Sequence, residues 1–228
     1  MLIGFDFDGT LAKTTLFHRL GWERVLAQLD LDAAVGDVFP VVPGLRERFD
    51  SYPRIRRGFL ADGERRRKIE AYFSSTDVRI LARRLMDMKE SFTLAAIADS
   101  SPGVRRSLLA GNIVTSLCML KQQRHALCVI SSSRESVITN FLYANGLLDF
   151  FTYIVGEESL TDGRGRIRDK PEGYAAKVLR RKGAILAHYV GDDPVMDGGF
   201  AEAAGVAFTL ADYRKDFLEI VERITYGQ

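Results

Sequence analysis

The chain has 228 residues, 46% hydrophobic and 27% charged, with 32 Lys and Arg against 30 Asp and Glu for a net charge of +2. That length holds one mid-sized domain or a core carrying an inserted one, and the composition excludes disordered, collagenous and coiled-coil classes. A balance this even argues against a dedicated nucleic-acid binder, while the two cysteines, Cys118 and Cys128, exclude a disulfide framework and read as buried thiols of a reducing compartment.

The N-terminus opens on an apolar run with no basic segment before it, so no signal peptide is expected. The longest mostly apolar stretch, Leu108 to Leu120, falls short of the ~20 residues a bilayer demands and reads as a buried helix. A cytoplasmic protein with no membrane partner is the expectation.

Leu2 to Phe7 reads as a buried strand ending at Asp8-Gly9-Thr10. From about Thr14 to Ser101 the pattern is almost wholly helical. Its clearest segment follows the capping residues Ser75-Thr76-Asp77 and carries Val78, Leu81, Leu85, Met88 and Phe92 as one apolar stripe. Pro40, Pro43-Gly44 and Pro53 interrupt it, and a basic stretch follows from Arg54 to Lys68. Pro102-Gly103 marks a boundary, after which one long helical pattern runs through Val104, Leu108, Ile113, Leu117 and Leu120. Strands at 126–130, 151–155, 185–190 and 206–210 then alternate with helices at 137–147, 174–179, 197–204 and 217–224. Such alternation predicts an α/β fold, a Rossmann-like parallel sheet with helices on both faces. The simplest organisation is a core of residues 1–13 and 102–228 with an all-helical domain, 14–101, inserted after the first strand.

In an open parallel sheet, ligands bind beyond the carboxyl ends of the strands. Asp6 and Asp8 follow the first strand, Ser131 the second, and Asp192, Asp193 and Asp197 the fourth, with Lys170 ahead of the helix before it. Clustered carboxylates repel unless a cation sits among them. Hard oxygen donors at a rim suit Mg2+. An ammonium and a hydroxyl opposite suit a phosphate, which an ionised aspartate can attack.

These residues stand in four ordered motifs: D-F-D-G-T at Asp6 to Thr10, Ser131 closing V-I-S, Lys170 in D-K-P, and V-G-D-D-P-V-M-D from Val190 to Asp197. The set resembles the haloacid dehalogenase (HAD) superfamily of phosphohydrolases, and the helical insertion resembles the C1-type cap of its phosphoglycolate phosphatase-like members. The resemblance implies Asp6 as nucleophile and metal ligand, and Asp8 as general acid/base with a main-chain carbonyl on the metal. It further implies Ser131 and Lys170 as the phosphate-holding pair, with Gly9, Thr10 and Ser132 beside them, and Mg2+ as cofactor. Asp192 becomes the direct acidic metal ligand, with Asp197 an outer partner. Four residues separate Asp192 from Asp197, and Asp193 keeps the shorter spacing of many relatives, so Asp193 stands as the alternative ligand. Ser132 to Glu135 reads as a capping box, which assigns the helix cap to Ser132 and leaves Ser131 for phosphate.

The implied activity is Mg2+-dependent hydrolysis of a small-molecule phosphate monoester through an aspartyl phosphate. A phosphomutase with the same nucleophile, or a non-catalytic HAD-fold binding protein, are the alternatives. The implied partner is a small phosphorylated metabolite. Other features take ordinary readings. Lys177 is the rival of Lys170. The basic stretch reads as a solvated face with local ion pairs. His18, His125 and His188 lack metal-ligand spacing, and Gly163-Arg164-Gly165-Arg166 lacks the third glycine of a dinucleotide loop. Trp22, Tyr52, Tyr72 and Phe73 read as core aromatics.

Overall fold

The computed structural model describes residues 1–31, 63–161, 168, 170–211 and 217–226. Pro40, Pro43, Gly44, Tyr52, Pro53, the basic residues Arg54, Arg56 and Arg57, and the segment Gly163 to Arg166 lie outside them. The chain divides into two compact units, one of Met1–Thr14 with Ser100–Gln228 and one of Thr15–Asp99.

The first unit is built on five parallel strands: β1 Leu2–Phe5, β2 Ala126–Ile130, β3 Tyr153–Val155, β4 Leu186–Gly191 and β5 Ala207–Leu210. Their order is β3-β2-β1-β4-β5, so β1 lies in the middle with β2 on one flank and β4 on the other. Chain order reverses direction at β1, which is where an open α/β sheet leaves a crevice at its carboxyl edge. The α/β reading with a parallel sheet therefore holds.

Alternation along β1 sends Ile3 and Phe5 to one face and Leu2 and Gly4 to the other. On the first face Phe5 meets Phe217 at 5.9 Å between ring centroids and Phe151 edge-on at 6.4 Å. On the second, Leu2, Ile130, Leu186, Tyr189 and Phe200 share one buried cluster with Leu179. Gly4 is needed there. A Cβ at that position would lie 2.9 Å from Leu186 and 3.0 Å from Tyr189.

Two local expectations change. Leu108 to Leu120 is not one helix: Pro102–Ser107 and Ile113–Gln122 are separate helices. Between them Leu108 accepts from the Lys13 N–H at 2.7 Å, and the Ala110 N–H donates to Leu11 at 3.0 Å. Gly111 follows, and Asn112 takes a left-handed conformation (φ 55°), a break that Asn tolerates better than most residues. Residues 132–135 also depart from expectation, the helix there starting at Glu135 with no side-chain cap. Cys128 is buried while Cys118 is half-buried.

The second unit contains helices Thr15–Gln28, Gly63–Phe73 and Val78–Asp99 among its described residues. Asp77 caps the last of these, its Oδ1 accepting from the Arg79 N–H at 2.8 Å. Leu81 and Leu85 join Trp22, Val25, Leu26 and Ile69 in the buried core, with Met88 and Phe92 packed at its edge. Val78, at the first helical position, is exposed instead. Tyr72 is also exposed; its ring stands edge-on to Phe73 at 5.0 Å and its hydroxyl accepts from Gln28 at 3.3 Å. The described part of the basic stretch is locally paired: Arg66 with Glu70 at 2.7 Å and Lys68 on the Asp30 carbonyl at 2.9 Å. Among the described residues no helix is long and apolar enough to cross a membrane.

Candidate active site

The site forms where β1 ends. The Asp6 N–H donates to Val190 at 2.8 Å, extending the β1–β4 ladder one residue beyond the strand. The chain then turns: the N–H groups of Leu11 and Ala12 both donate to the Phe7 carbonyl at 3.1 Å, and that of Gly9 to Ala12 at 2.8 Å. Gly9 sits at φ +93°, and a Cβ there would fall 2.4 Å from Asp192 Oδ2. Only glycine lets the turn from β1 lie this close to the loop after β4. Thr10 bridges the same gap, its hydroxyl donating to Asp192 Oδ1 at 3.2 Å.

Asp6, Asp192 and Asp197 each offer a carboxylate oxygen within 4.8 Å of the others. Lys170 enters this group from the turn of 3-10 helix Lys170–Glu172. Its ammonium donates to Asp6 Oδ1 and, at 2.8 Å, to Asp197 Oδ1, and lies 5.6 Å from the centroid of the Tyr189 ring. Lys177, the rival on the next helix, is exposed. Asp197 is committed on both oxygens. Oδ1 accepts from Lys170 and from the Tyr189 hydroxyl at 3.3 Å, and Oδ2 from the Asp193 N–H at 3.0 Å.

Asp193 turns the other way. Its Oδ1 accepts from the N–H groups of Val195 at 2.7 Å and Met196 at 3.1 Å, in the turn that leads into helix Met196–Ala204. The carboxylate grouping thus contains Asp192 and not Asp193. Spacing alone left the two open, because a four-residue interval serves either once the helix start is unknown.

Electrostatics follow from burial. Desolvation pushes the Asp6 carboxyl well above its ordinary range; Lys170 pulls it down, and Asp197, Asp192 and Asp8 add to the rise. Burial also pushes Asp192 up to about 6, helped by Asp197 and opposed by Lys170 and the Thr10 hydrogen bond. For Lys170 burial works toward a lower value, but Asp197 and Asp6 outweigh it and hold the ammonium well above the ordinary lysine range. One ammonium among three carboxylates leaves the group short of positive charge. Hard oxygen donors at this spacing fit a small divalent cation.

Asp8 lies apart from that group and is almost fully buried. Thr14 donates its hydroxyl to Oδ1, and Ser133 donates to Oδ2 at 2.5 Å. Ser131, buried at the end of β2, accepts from the Ser133 N–H at 3.1 Å. Ser131 is therefore linked to the first-strand motif through Ser133 and Asp8. The capping box expected over Ser132–Glu135 does not form. The helix starts at Glu135 with Arg134 ahead of it and no side-chain cap. The Glu135 N–H is taken by Glu158 at 2.8 Å, and the Glu135 carboxylate reaches the Gly156 N–H at 3.2 Å and the Ser159 hydroxyl. Local sequence favours the box, but the neighbouring turn after β3 offers both groups tertiary partners. Ser132 is left exposed. Thr14 and Ser133 escaped the sequence reading. The spacing Ser131-x-Ser133 after a strand was the available signal, since alternate residues share a face.

His18 Nδ1 lies 2.6 Å from Lys89 Nζ within the helical unit, and His188 meets Thr209 at 2.8 Å.

The family model of the haloacid dehalogenase-like hydrolases matches residues 86–211. No curated protein matches the chain. Among solved structures, a predicted phosphoglycolate phosphatase from Haemophilus somnus 129PT is similar over 100% of this chain and 97% of its own, with a TM-score of 0.66 and 19% identity. YfnB from Bacillus subtilis, solved bound to magnesium, matches over 99% and 98%, with a TM-score of 0.61 and 17% identity. A mutant of CbbY from Rhodobacter sphaeroides in complex with xylulose-(1,5)bisphosphate matches over 95% and 89%, with a TM-score of 0.62 and 17% identity. At these identities the structures speak for the fold. The family match spans more than half of the sequence and runs through three of the four motifs, and on it the chain belongs to the haloacid dehalogenase-like hydrolases.

Proposed function

We propose that this hydrolase is a Mg2+-dependent phosphatase that cleaves a small-molecule phosphate monoester through a phosphorylated Asp6. The observation that carries the reading is the meeting of Asp6, Asp192 and Asp197 around the Lys170 ammonium at the carboxyl edge of the sheet. YfnB bound to magnesium and CbbY bound to a sugar bisphosphate support the cofactor and the substrate class.

The residues would act as follows. Asp6 and Asp192, with the Asp8 carbonyl and with Asp197 as an outer partner, would hold a divalent ion, which when bound would supply positive charge to the phosphate oxygens. The Lys170 ammonium supplies a second positive charge, and the Ser131 hydroxyl a donor for the phosphoryl group. A carboxylate oxygen of Asp6 attacks phosphorus while the bond from phosphorus to the ester oxygen breaks. The departing electron pair takes the proton of Asp8, and an alcohol leaves. Water then attacks the phosphorus of phospho-Asp6, passing its proton to Asp8. Inorganic phosphate leaves and Asp6 is restored. The net change is ester plus water to alcohol plus phosphate. Asp197, occupied by Lys170, Tyr189 and Asp193, positions the lysine in this scheme. The helical unit takes the part of a C1-type cap, the segment that sets substrate choice.

The test is phosphate release from a panel of phosphate esters with Mg2+, with chelator, and with Asp6→Asn. Release that needs metal and is lost in Asp6→Asn is the expected result. Turnover that survives Asp6→Asn unchanged would remove the aspartyl-phosphate route. Isomerised product without free phosphate would turn the reading toward the phosphomutase alternative.

A further inference from the structure

The geometry points to Ser133 as a positioning residue for Asp8, which aims the proton of Asp8 at the leaving oxygen; this rests on the reading of Asp8 as the acid/base of a phosphatase. A carboxyl group that must give a proton to one oxygen and later take one from water needs a fixed plane. Thr14 holds one edge of Asp8 from within the same turn. Ser133 holds the other from a separate strand end, 125 positions along the chain, at 2.5 Å.

Ser133 is itself held at both ends of its peptide. Its N–H donates to Ser131 Oγ at 3.1 Å, and its carbonyl accepts from the Glu157 N–H at 3.1 Å. The second contact is possible because residue 156 is glycine: a Cβ there would lie 2.7 Å from the Ser133 carbonyl oxygen. Glu135 ties the same turn down further, through the Gly156 N–H and the Ser159 hydroxyl. The hydroxyl that meets Asp8 is thus mounted on backbone fixed from within its own loop, by Ser131, and from the turn after β3, by Glu157. Because Ser131 accepts from Ser133 through its oxygen, its own proton remains available for donation to a phosphate oxygen. The path Ser131–Ser133–Asp8 joins the group that would hold the phosphoryl oxygens to the group that would protonate the ester oxygen. The role is specific to proton delivery. Loss of Ser133 should matter most where the leaving oxygen is most basic.

The experiment compares the full chain with Ser133→Ala, Ser133→Cys and Ser133→Thr on phenyl phosphate and 4-nitrophenyl phosphate with Mg2+. Phenol is the poorer leaving group, with a pKa of about 10 like the tyrosine phenol, and gains most from a proton donor. We expect kcat/KM of Ser133→Ala to fall about tenfold more on phenyl phosphate than on 4-nitrophenyl phosphate, and Ser133→Thr to recover most of the difference. Ser133→Cys, close in volume with a weak donor, should behave like alanine and serves if the alanine variant does not fold. Equal falls on both esters, or no recovery in Ser133→Thr, would overturn the proposal while leaving the phosphatase reading intact. Wild-type protein that releases phosphate from neither of these esters nor any other of the panel would overturn both.

Discussion

Lys170 Nζ and Asp197 Oδ1 are 2.8 Å apart, with side chains only 5% and 2% exposed. The pair is buried against the Tyr189 ring and shares its ammonium with Asp6. Removing one member of such a group leaves charge in a dry interior, and that costs about 3–5 kcal/mol. Lys170→Met should therefore lower stability by about that amount without metal, and added Mg2+ should recover part of the loss. Urea unfolding with and without Mg2+ measures both. A loss below about 1 kcal/mol would mean that the lysine is not what neutralises these carboxylates.

Asp192 sets a pH dependence. Burial and the nearby Asp197 carry it from an ordinary 3.8 up to about 6. Between those values the folded chain keeps a proton that the unfolded chain has lost, so this group's contribution makes metal-free stability fall as pH rises through that window. A metal ion needs the ionised form, so Mg2+ affinity should rise with pH through about 6 as Asp192 ionises, and the raised Asp6 adds to that rise. Calorimetric titration at pH 5 in buffers of different ionisation enthalpy should show proton release on binding, and at pH 8 much less. Affinity that is flat from pH 5 to 8 would contradict the role given to Asp192.

Asp192 and Asp193 separate by their partners. Asp193→Ala removes the hydrogen bonds to Val195 and Met196 and should cost about 1 kcal/mol of stability while Mg2+ still binds. Asp192→Asn should abolish most Mg2+ binding with little change in melting temperature. The reverse pattern would transfer the ligand role to Asp193.

Gly9→Ala tests how tightly the first turn lies against Asp192. The new Cβ would sit 2.4 Å from the carboxylate, on backbone at φ +93°. We expect Mg2+ affinity to fall at least about tenfold, with about 1–3 kcal/mol of strain. Gly183→Ala is the control: its φ is +76° but the space around it is open. It should cost about 1 kcal/mol and leave metal binding alone.

Much of the architecture was legible in the residues. Ala126-Leu127-Cys128-Val129-Ile130 matches β2 end to end, and the remaining strands lie within the predicted runs to about two residues at either end, because short apolar runs between turn signals leave few alternatives. The failures have a common cause. Leu108 to Leu120 looks like one apolar helix, but Leu108 and Ala110 hydrogen-bond to residues 13 and 11, a pairing across nearly a hundred positions that no local pattern encodes. The capping box at Ser132–Glu135 lost to partners on the turn after β3 for the same reason.

The order of motifs, the parallel sheet and the placing of Asp6, Asp8, Ser131 and the Asp192–Asp197 segment just beyond strands follow from the sequence, since strand ends and residue types are local properties. Which aspartate joins the carboxylate group, what holds Lys170, and that Ser133 and Thr14 grip Asp8 were decided by the tertiary structure. Those relations depend on side-chain direction and on contacts between segments far apart in the chain. The close approach that requires glycine at position 9, where a Cβ would fall 2.4 Å from Asp192, arises only when the strands are laid side by side.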